Sequence, residues 1–219
     1  GLQADGVYAT QAEADKANLV NSSMQAYQAG DVRFIDQNND GRIDIKDRIS
    51  LGSAAPDYFG GFYTNFRYRH FALSAEFAYS KGNKAYNAVR RTLESASSFS
   101  NQSVAVSNRW SVEGQVTDMP RATFGDAIGN NNFSSRWIED ASYLRIKNIT
   151  LSYNFDKPIW NFFRSGTIYV TGENLLTATK YLGLDPEFAY SSSDNATQGF
   201  DYAKVMQPKS VKLGINLKF

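Results

Sequence analysis

The sequence predicts an all-β fold made of about five antiparallel strands. The first observation is the strict alternation of residues 209–219, K-S-V-K-L-G-I-N-L-K-F, because a period of two indicates an extended strand with one apolar and one polar face. The second is that this strand ends on an aromatic residue. The third is that short and long connections alternate along the chain. The apolar face of the last strand consists of Val211, Leu213, Ile215, Leu217 and Phe219.

Four earlier segments alternate in the same way as the last strand. The tight turn at His70 and the short link at 156–165 join two pairs of them, whereas long polar segments cover about 81–140 and 177–204. Turn residues and alternating apolar positions are the sequence signals of hairpins. The expected strands span 58–69, 71–80, 142–155, 166–176 and 205–219.

The alternation of short and long connections is typical of outer-membrane β-barrels, which have short periplasmic turns and long extracellular loops. We therefore expect the loops at 81–140 and 177–204 to be extracellular and Phe219 to end in the periplasm, with the alternating last strand acting as a membrane-assembly signal. A soluble β-sandwich would show the same alternation. The terminal aromatic residue and the loop asymmetry favour the barrel and an outer-membrane location.

Composition excludes several functional classes. A net charge of +1 over 219 residues provides no field that would attract nucleic acid. The chain has no cysteine and a single histidine, His70, so disulfides, thiol chemistry and histidine-based sites are not expected. No nucleophile or acid pair is recognisable, so we predict no catalytic residues and no enzyme activity. Packing is the expected role of Trp110, Trp137 and Trp160.

The chain is expected to divide into two regions. Residues 1–57 form an extracellular loop region, in which Thr10 is a candidate N-cap for a helix over 10–27. Residues 58–219 form the barrel strands, and a short helix is expected over 85–97. Because the chain begins Gly-Leu-Gln without Met, we expect it to be a piece of a longer polypeptide.

One segment of the first region has the spacing of a twelve-residue calcium loop. Gly41 occupies the position of the sharp turn, and Asp47 stands where an EF-hand has a bidentate Glu. A metal-free turn would explain the same residues, since Asp, Asn and Gly favour turns. We expect a structural calcium site. The expected ligands are the side chains of Asp36, Asn38, Asp40, Asp44 and Asp47, and the carbonyl of Arg42.

Several motifs follow one another in an order that resembles a known family. They are Gly30–Phe34, Asp47–Gly52, Pro56–Phe62, Asn108–Trp110, Asp118–Arg121, Glu139–Leu151, Tyr169–Leu176 and Leu184–Glu187. In this order they look like the C-terminal end of a SusC/RagA-type TonB-dependent outer-membrane transporter of Bacteroidetes. One minor departure is Glu173, where the family commonly has Gln.

The resemblance implies that the chain supplies the last five strands of a plugged barrel of about 22 strands. It further implies import of oligosaccharides or peptides, a SusD-like surface lipoprotein as partner, and energy from the TonB complex through an N-terminal part outside this chain. No substrate-binding residue can be assigned from the motifs. The alternative is a secreted or surface β-module, stabilised by calcium, that binds glycan or a protein partner.

Overall fold

A computed structural model describes residues 1–155, 164–188 and 197–218, and the chain divides into two compact units. The first comprises Gly1–Ser53, Ala85–Glu139 and Ala189–Ala203, and the second Ala54–Lys84, Asp140–Phe188 and Lys204–Phe219. In chain order the strands and α-helices are β1 (Ala4–Val7), α1 (Gln11–Ala17), β2 (Val20–Asn21), β3 (Val32–Phe34), β4 (Arg42–Ile43), β5 (Tyr58–Tyr68), β6 (Phe71–Lys81), β7 (Lys84–Asn87), α2 (Ala88–Glu94), β8 (Ile138–Asp140), β9 (Tyr143–Phe155), β10 (Ser165–Thr179), β11 (Phe200–Asp201) and β12 (Ser210–Lys218). Among the described residues, no helix has the length and apolar character needed to cross a membrane.

The second unit contains an antiparallel sheet whose five described strands follow the order β12-β10-β9-β6-β5. This confirms the five antiparallel strands that the alternation predicted. Tyr68 pairs directly with Phe71, so Arg69 and His70 alone form the first turn, with Arg69 at a φ of 54°. Such a positive φ is the conformation that two-residue hairpin turns require. The expected link at 156–165 lies mostly outside the described residues.

Strand β9 departs from strict alternation at one position. Asn148 pairs with Glu76, but the next pair joins Ile146 to Phe77, so Lys147 has no partner on β6. An extra residue of this kind is a β-bulge. It shifts the alternation by one residue, so the side chains that precede Lys147 lie on the opposite sides from those that strict alternation predicts. Ile146 therefore lies on the same side of the sheet as Ile149, although the two are three positions apart in the strand.

The first unit has its own core, built from short elements rather than long strands. Strands β1 and β3 pair antiparallel, β2 and β4 pair parallel, and β7 lies between β11 and β8. The expected long excursion at 81–140 is thus mostly folded, since Ala85–Glu139 belongs to this unit. The buried residues of its main cluster are Leu2, Tyr8, Ala14, Tyr27, Val32, Phe34, Ile43 and Ile128.

Both α-helices are shorter than their sequence patterns predicted. Thr10 is the N-cap of α1, where its hydroxyl accepts from the Glu13 N–H, but the helix ends at Ala17 because Asn18 adopts a left-handed conformation. The prediction of helix up to residue 27 was therefore wrong. The helix expected over 85–97 is confined to α2, since β7 occupies the residues before it.

Candidate functional site

One side of the five-stranded sheet is apolar from edge to edge. The strand register aligns one residue from each strand in a single row across the sheet, and all five are between 39% and 81% exposed. We call this side the apolar face. The row consists of Phe66, Leu73, Leu151, Val170 and Leu213, and a neighbouring row of Tyr68, Phe71, Tyr153, Ile168 and Ile215.

The last strand contributes its expected apolar residues to this face. Val211, Leu213, Ile215 and Leu217 pair in turn with Gly172, Val170, Ile168 and Gly166 of β10. Phe219 lies outside the described residues. The assembly role expected of these five residues stays a prediction.

The opposite side of the sheet is polar, and we call it the polar face. The Thr150 and Thr171 hydroxyls lie 2.8 Å apart, and Glu173 accepts hydrogen bonds from Ser210 and Lys212. Glu76 faces Asn148 across β6 and β9. One row of this face consists of Asn65, Ser74, Thr150, Thr171 and Lys212.

A buried ion cluster holds the chain after β10 against β9. The Arg145 guanidinium, 3% exposed, donates to Asp185, to Glu187 and to the Thr177 hydroxyl. Lys147 also pairs with Glu187. We call these groups the arginine cluster. Because the guanidinium fork offers five donors in one plane, it can bind several acceptors at once.

Asp185 is the most enclosed acid of the arginine cluster. Burial alone would raise the pKa of its carboxyl, but Arg145 and the backbone N–H groups of Glu187 and Gln207 lower it below its ordinary value. The carboxyl therefore stays ionised. Its two backbone hydrogen bonds hold Glu187 and Gln207, which are 20 positions apart in the chain, at one side chain. The sequence alone assigns no role to the Leu-Asp-Pro-Glu motif at 184–187. Its role depends on the contact with Arg145, which is 40 positions away in the chain.

The calcium-type loop of the first unit is ordered by its own acids. Asp36 Oδ2 accepts from the Gly41 N–H at 2.8 Å, and this turn needs the positive φ of 80° at Gly41. Asp47 is fully buried, and its two oxygens accept from the Gln37 and Asp44 N–H groups. Asp47, the last expected ligand, therefore also closes the loop through these two hydrogen bonds.

The other expected side-chain ligands are less enclosed, since Asn38 and Asp40 are exposed and Asp44 is half-buried. Asp40 Oδ1 accepts from the Arg42 N–H and Oδ2 from the Asn38 amide, and Asp44 accepts from the Lys46 N–H. The Asn38 amide is the main cause that lowers the pKa of Asp40. Within residues 1–155, 164–188 and 197–218, no three His, Asp or Glu side chains converge as a metal site.

One atom of the loop nevertheless lacks a partner. Asp36 Oδ1 is enclosed by protein and has no hydrogen bond. Burying a polar oxygen without a partner is costly, and a bound ion is one explanation for such an atom. The loop's Ile43 side chain belongs to the core of the first unit, which ties the loop to that core.

The tryptophans pack, as expected, where the structure describes them. Trp137 is fully buried, and the guanidinium groups of Arg136 and Arg90 lie 4.5 and 5.5 Å from its ring. The Trp110 indole donates to the Ala9 carbonyl at 3.0 Å. Trp160 lies outside the described residues.

No protein-family model matches the chain. Curated relatives do, and the chain is 30% identical over 224 residues to TonB-dependent receptor P26 of Formosa agariphila, a match that covers 100% of the chain and 22% of the relative. It is also 33% identical over 192 residues to TonB-dependent receptor P3 of the same organism. This match covers 85% of the chain and 19% of the relative. TonB-dependent receptor SusC of Bacteroides thetaiotaomicron is 28% identical over 193 residues, covering 85% of the chain and 17% of SusC.

The fold points the same way. The chain superposes on the solved structure of the RagAB peptide importer in its open-open state with a TM-score of 0.71 and 24% identity, covering 100% of this chain and 22% of that one. The chain is a SusC/RagA-type segment. This confirms the family expected from the motif order. The segment spans about a fifth of the length of the curated relatives it matches.

Proposed function

We propose that this SusC/RagA-type segment forms part of the barrel wall of a TonB-dependent importer in the outer membrane. The observation that carries the proposal is the apolar face, whose two aligned rows cross all five strands and are exposed in each of them. Lipid is the environment that such a face fits, while the polar face suits a water-filled or plugged interior. A soluble sandwich would cover its inner face with a second sheet.

The sheet alone is not a complete barrel wall. Strands β12 and β5 form its two edges, and each has a neighbour on one side only in the described sheet. Unpaired backbone groups in hydrocarbon cost several kcal/mol each, roughly, so spanning strands must close on themselves. We therefore place the segment in a longer receptor whose other strands complete a barrel of about 22 strands.

We propose that the imported ligand is an oligosaccharide or a peptide, and that a SusD-like lipoprotein and the TonB complex are partners. The support is that one relative is named SusC and one structural neighbour is a peptide importer. The loops after β6 and β10 lie at one end of the sheet, and we assign this end to the cell exterior because they are the long ones. The TonB contact belongs to an N-terminal part outside this chain.

The test is fractionation of the full-length receptor, followed by electrophoresis in detergent with and without boiling. We expect an outer-membrane band whose mobility changes on boiling, since closed barrels keep their fold in detergent. A soluble protein without this change would contradict the proposal. It would favour the calcium-stabilised surface module that binds glycan or a protein partner.

We also propose that the 36–47 loop takes one structural calcium ion. The supporting observation is the enclosed, unpartnered Asp36 Oδ1 in a segment whose other oxygens have the spacing of a calcium loop. A cation there would satisfy this atom and brace the loop against the core that contains Ile43. The residues that would hold it are Asp36, Asn38, Asp40, Asp44 and Asp47, with the Arg42 carbonyl.

A further inference from the structure

The apolar face ends in a pocket of about 510 Å³ within the second unit. The pocket lies where β5 begins, β6 ends, β9 begins and β10 ends, which is the end of the sheet with the long connections. Pockets of about 300–1,000 Å³ are the usual size for small ligands. No part of the proposed import function uses this pocket, because its floor belongs to the side of the sheet that faces away from the interior.

The strand register shows which side of the sheet the pocket occupies. Tyr79 pairs with Leu144, and Leu144 pairs with Ala178, so these three side chains continue the apolar face to its rim. Tyr58 pairs with Lys81 on the same side. All five residues line the pocket. The apolar rows thus run directly into the pocket floor.

The tyrosines give the pocket a firm aromatic wall. The Tyr58 and Tyr79 rings meet edge to face with centroids 6.3 Å apart. Gly60 supports Tyr79 closely, since a Cβ there would lie 2.9 Å from the Tyr79 hydroxyl oxygen. Rings with an apolar body and a polar tip are enriched where a membrane meets water. The wall is therefore at the level of the lipid headgroups if the apolar face contacts lipid.

The charges of the pocket favour an anion. Lys81 and Lys180 line it, against one acid, Asp140. Asp140 Oδ1 is already engaged by the Ser142 hydroxyl and N–H, and these bonds, followed by the charges of Lys84 and Lys81, lower its pKa. The acid is thus held by protein groups, whereas both lysine side chains are exposed.

We propose that this pocket binds the phosphorylated headgroup of a negatively charged membrane lipid, whose acyl chains lie along the apolar face. The lysines would pair with the phosphate, and Leu144 and Ala178 would contact the first methylene groups. A free phosphate would gain nothing from the apolar floor, so we assign the site to lipid. The inference rests on the proposed membrane setting of the sheet.

The test uses the full-length receptor in lipid nanodiscs, with native mass spectrometry to count retained lipids. Phosphatidylglycerol is compared with phosphatidylcholine for the wild type, for K81Q/K180Q, and for the control K16Q/K204Q, which removes the same charge from exposed positions elsewhere. Since each lysine near an anionic surface contributes roughly three- to fivefold, we expect K81Q/K180Q to retain phosphatidylglycerol about 10- to 30-fold less. A second variant, A178W, fills the pocket and keeps both lysines, and should show the same loss.

The outcomes separate this inference from the function it rests on. If the boiling-sensitive band is present but K81Q/K180Q and A178W retain lipid like the wild type, the lipid site is wrong and the barrel stands. If millimolar inorganic phosphate displaces phosphatidylglycerol completely, the pocket is a phosphate site, which also overturns the lipid assignment. If the wild type gives no such band, the membrane setting itself has failed.

Discussion

The arginine cluster predicts a large and local effect of replacing Arg145 by Met. Met keeps much of the volume but removes every donor, so Asp185, 4% exposed, would keep only its bonds from the Glu187 and Gln207 N–H groups. Removing one partner of a buried ion pair costs about 3–5 kcal/mol. Glu187 is 35% exposed and also pairs with Lys147, so it can partly recover. We therefore expect the lower end, about 3 kcal/mol.

The assay is amide hydrogen exchange across residues 182–188 in the full-length receptor. A loss of about 3 kcal/mol increases local opening on the order of 100-fold, because each 1.4 kcal/mol is a factor of ten. K212M is the matched control, since the Lys212–Glu173 pair is exposed at 60% and 32%. Exposed pairs contribute about 0–1 kcal/mol, so its exchange should change only a few-fold, and near β12 rather than at 182–188.

The double variant R145M/D185L tests the physical reason. Replacing both buried charges by apolar groups is often neutral, so it should recover much of the lost protection. The reasoning would be refuted if R145M left exchange at 182–188 within the range of K212M. It would also be refuted if R145M/D185L opened as readily as R145M.

Three further predictions concern the acids and the sheet. Because the folded pKa of Asp185 is lowered, its contribution to stability is present above the unfolded value of about 3.9 and is lost as the pH falls through the folded value; exchange at 182–188 should rise only below about pH 4. If calcium occupies the 36–47 loop, 100-fold excess over its Kd should stabilise the first unit by about 2.7 kcal/mol, and D36N should abolish the calcium-dependent shift in melting temperature, whereas D15N should not. L151K places a charge on the apolar face and should cost about 2–4 kcal/mol in urea unfolding from lipid, while S152K on the polar face should cost under about 1; equal losses for both would mean that the two faces do not differ in environment.

Strand content and pairing could be read from the sequence because each face of the sheet has one kind of environment. Alternation from Phe71 onward and again up to Phe155 reports that difference directly. The bulge at Lys147 could be suspected only from Leu144 and Ile146, whose apolar character conflicts with the parity set by Ile149. Strict alternation would have placed charged side chains in the apolar rows, so the separation of the apolar and polar faces outweighed regular pairing.

The compact first unit was harder to predict because long-range contacts build it. Asp31 is fully buried and held by Arg121 and by the Asn130 amide, about ninety to a hundred positions away in the chain. Such pairs leave no periodic pattern, and the Asn- and Gly-rich stretch around Asn130 reads as an irregular loop. The predicted length of the N-terminal helix was wrong for a local reason. Asn18 ends the helix in a left-handed conformation, whereas the alanine-rich residues before it favour helix and gave no sign of this end.

The single unpaired residue in β9 also limits how the length of this strand can change in evolution. Deleting Lys147 would restore regular pairing, but it would exchange the sides of Leu144 and Arg145. One residue gained or lost anywhere between the bulge and the strand's beginning would do the same. Homologous genes should therefore vary freely in the length of the segments outside the strands, while the interval from Tyr143 to Asn148 keeps its number of codons.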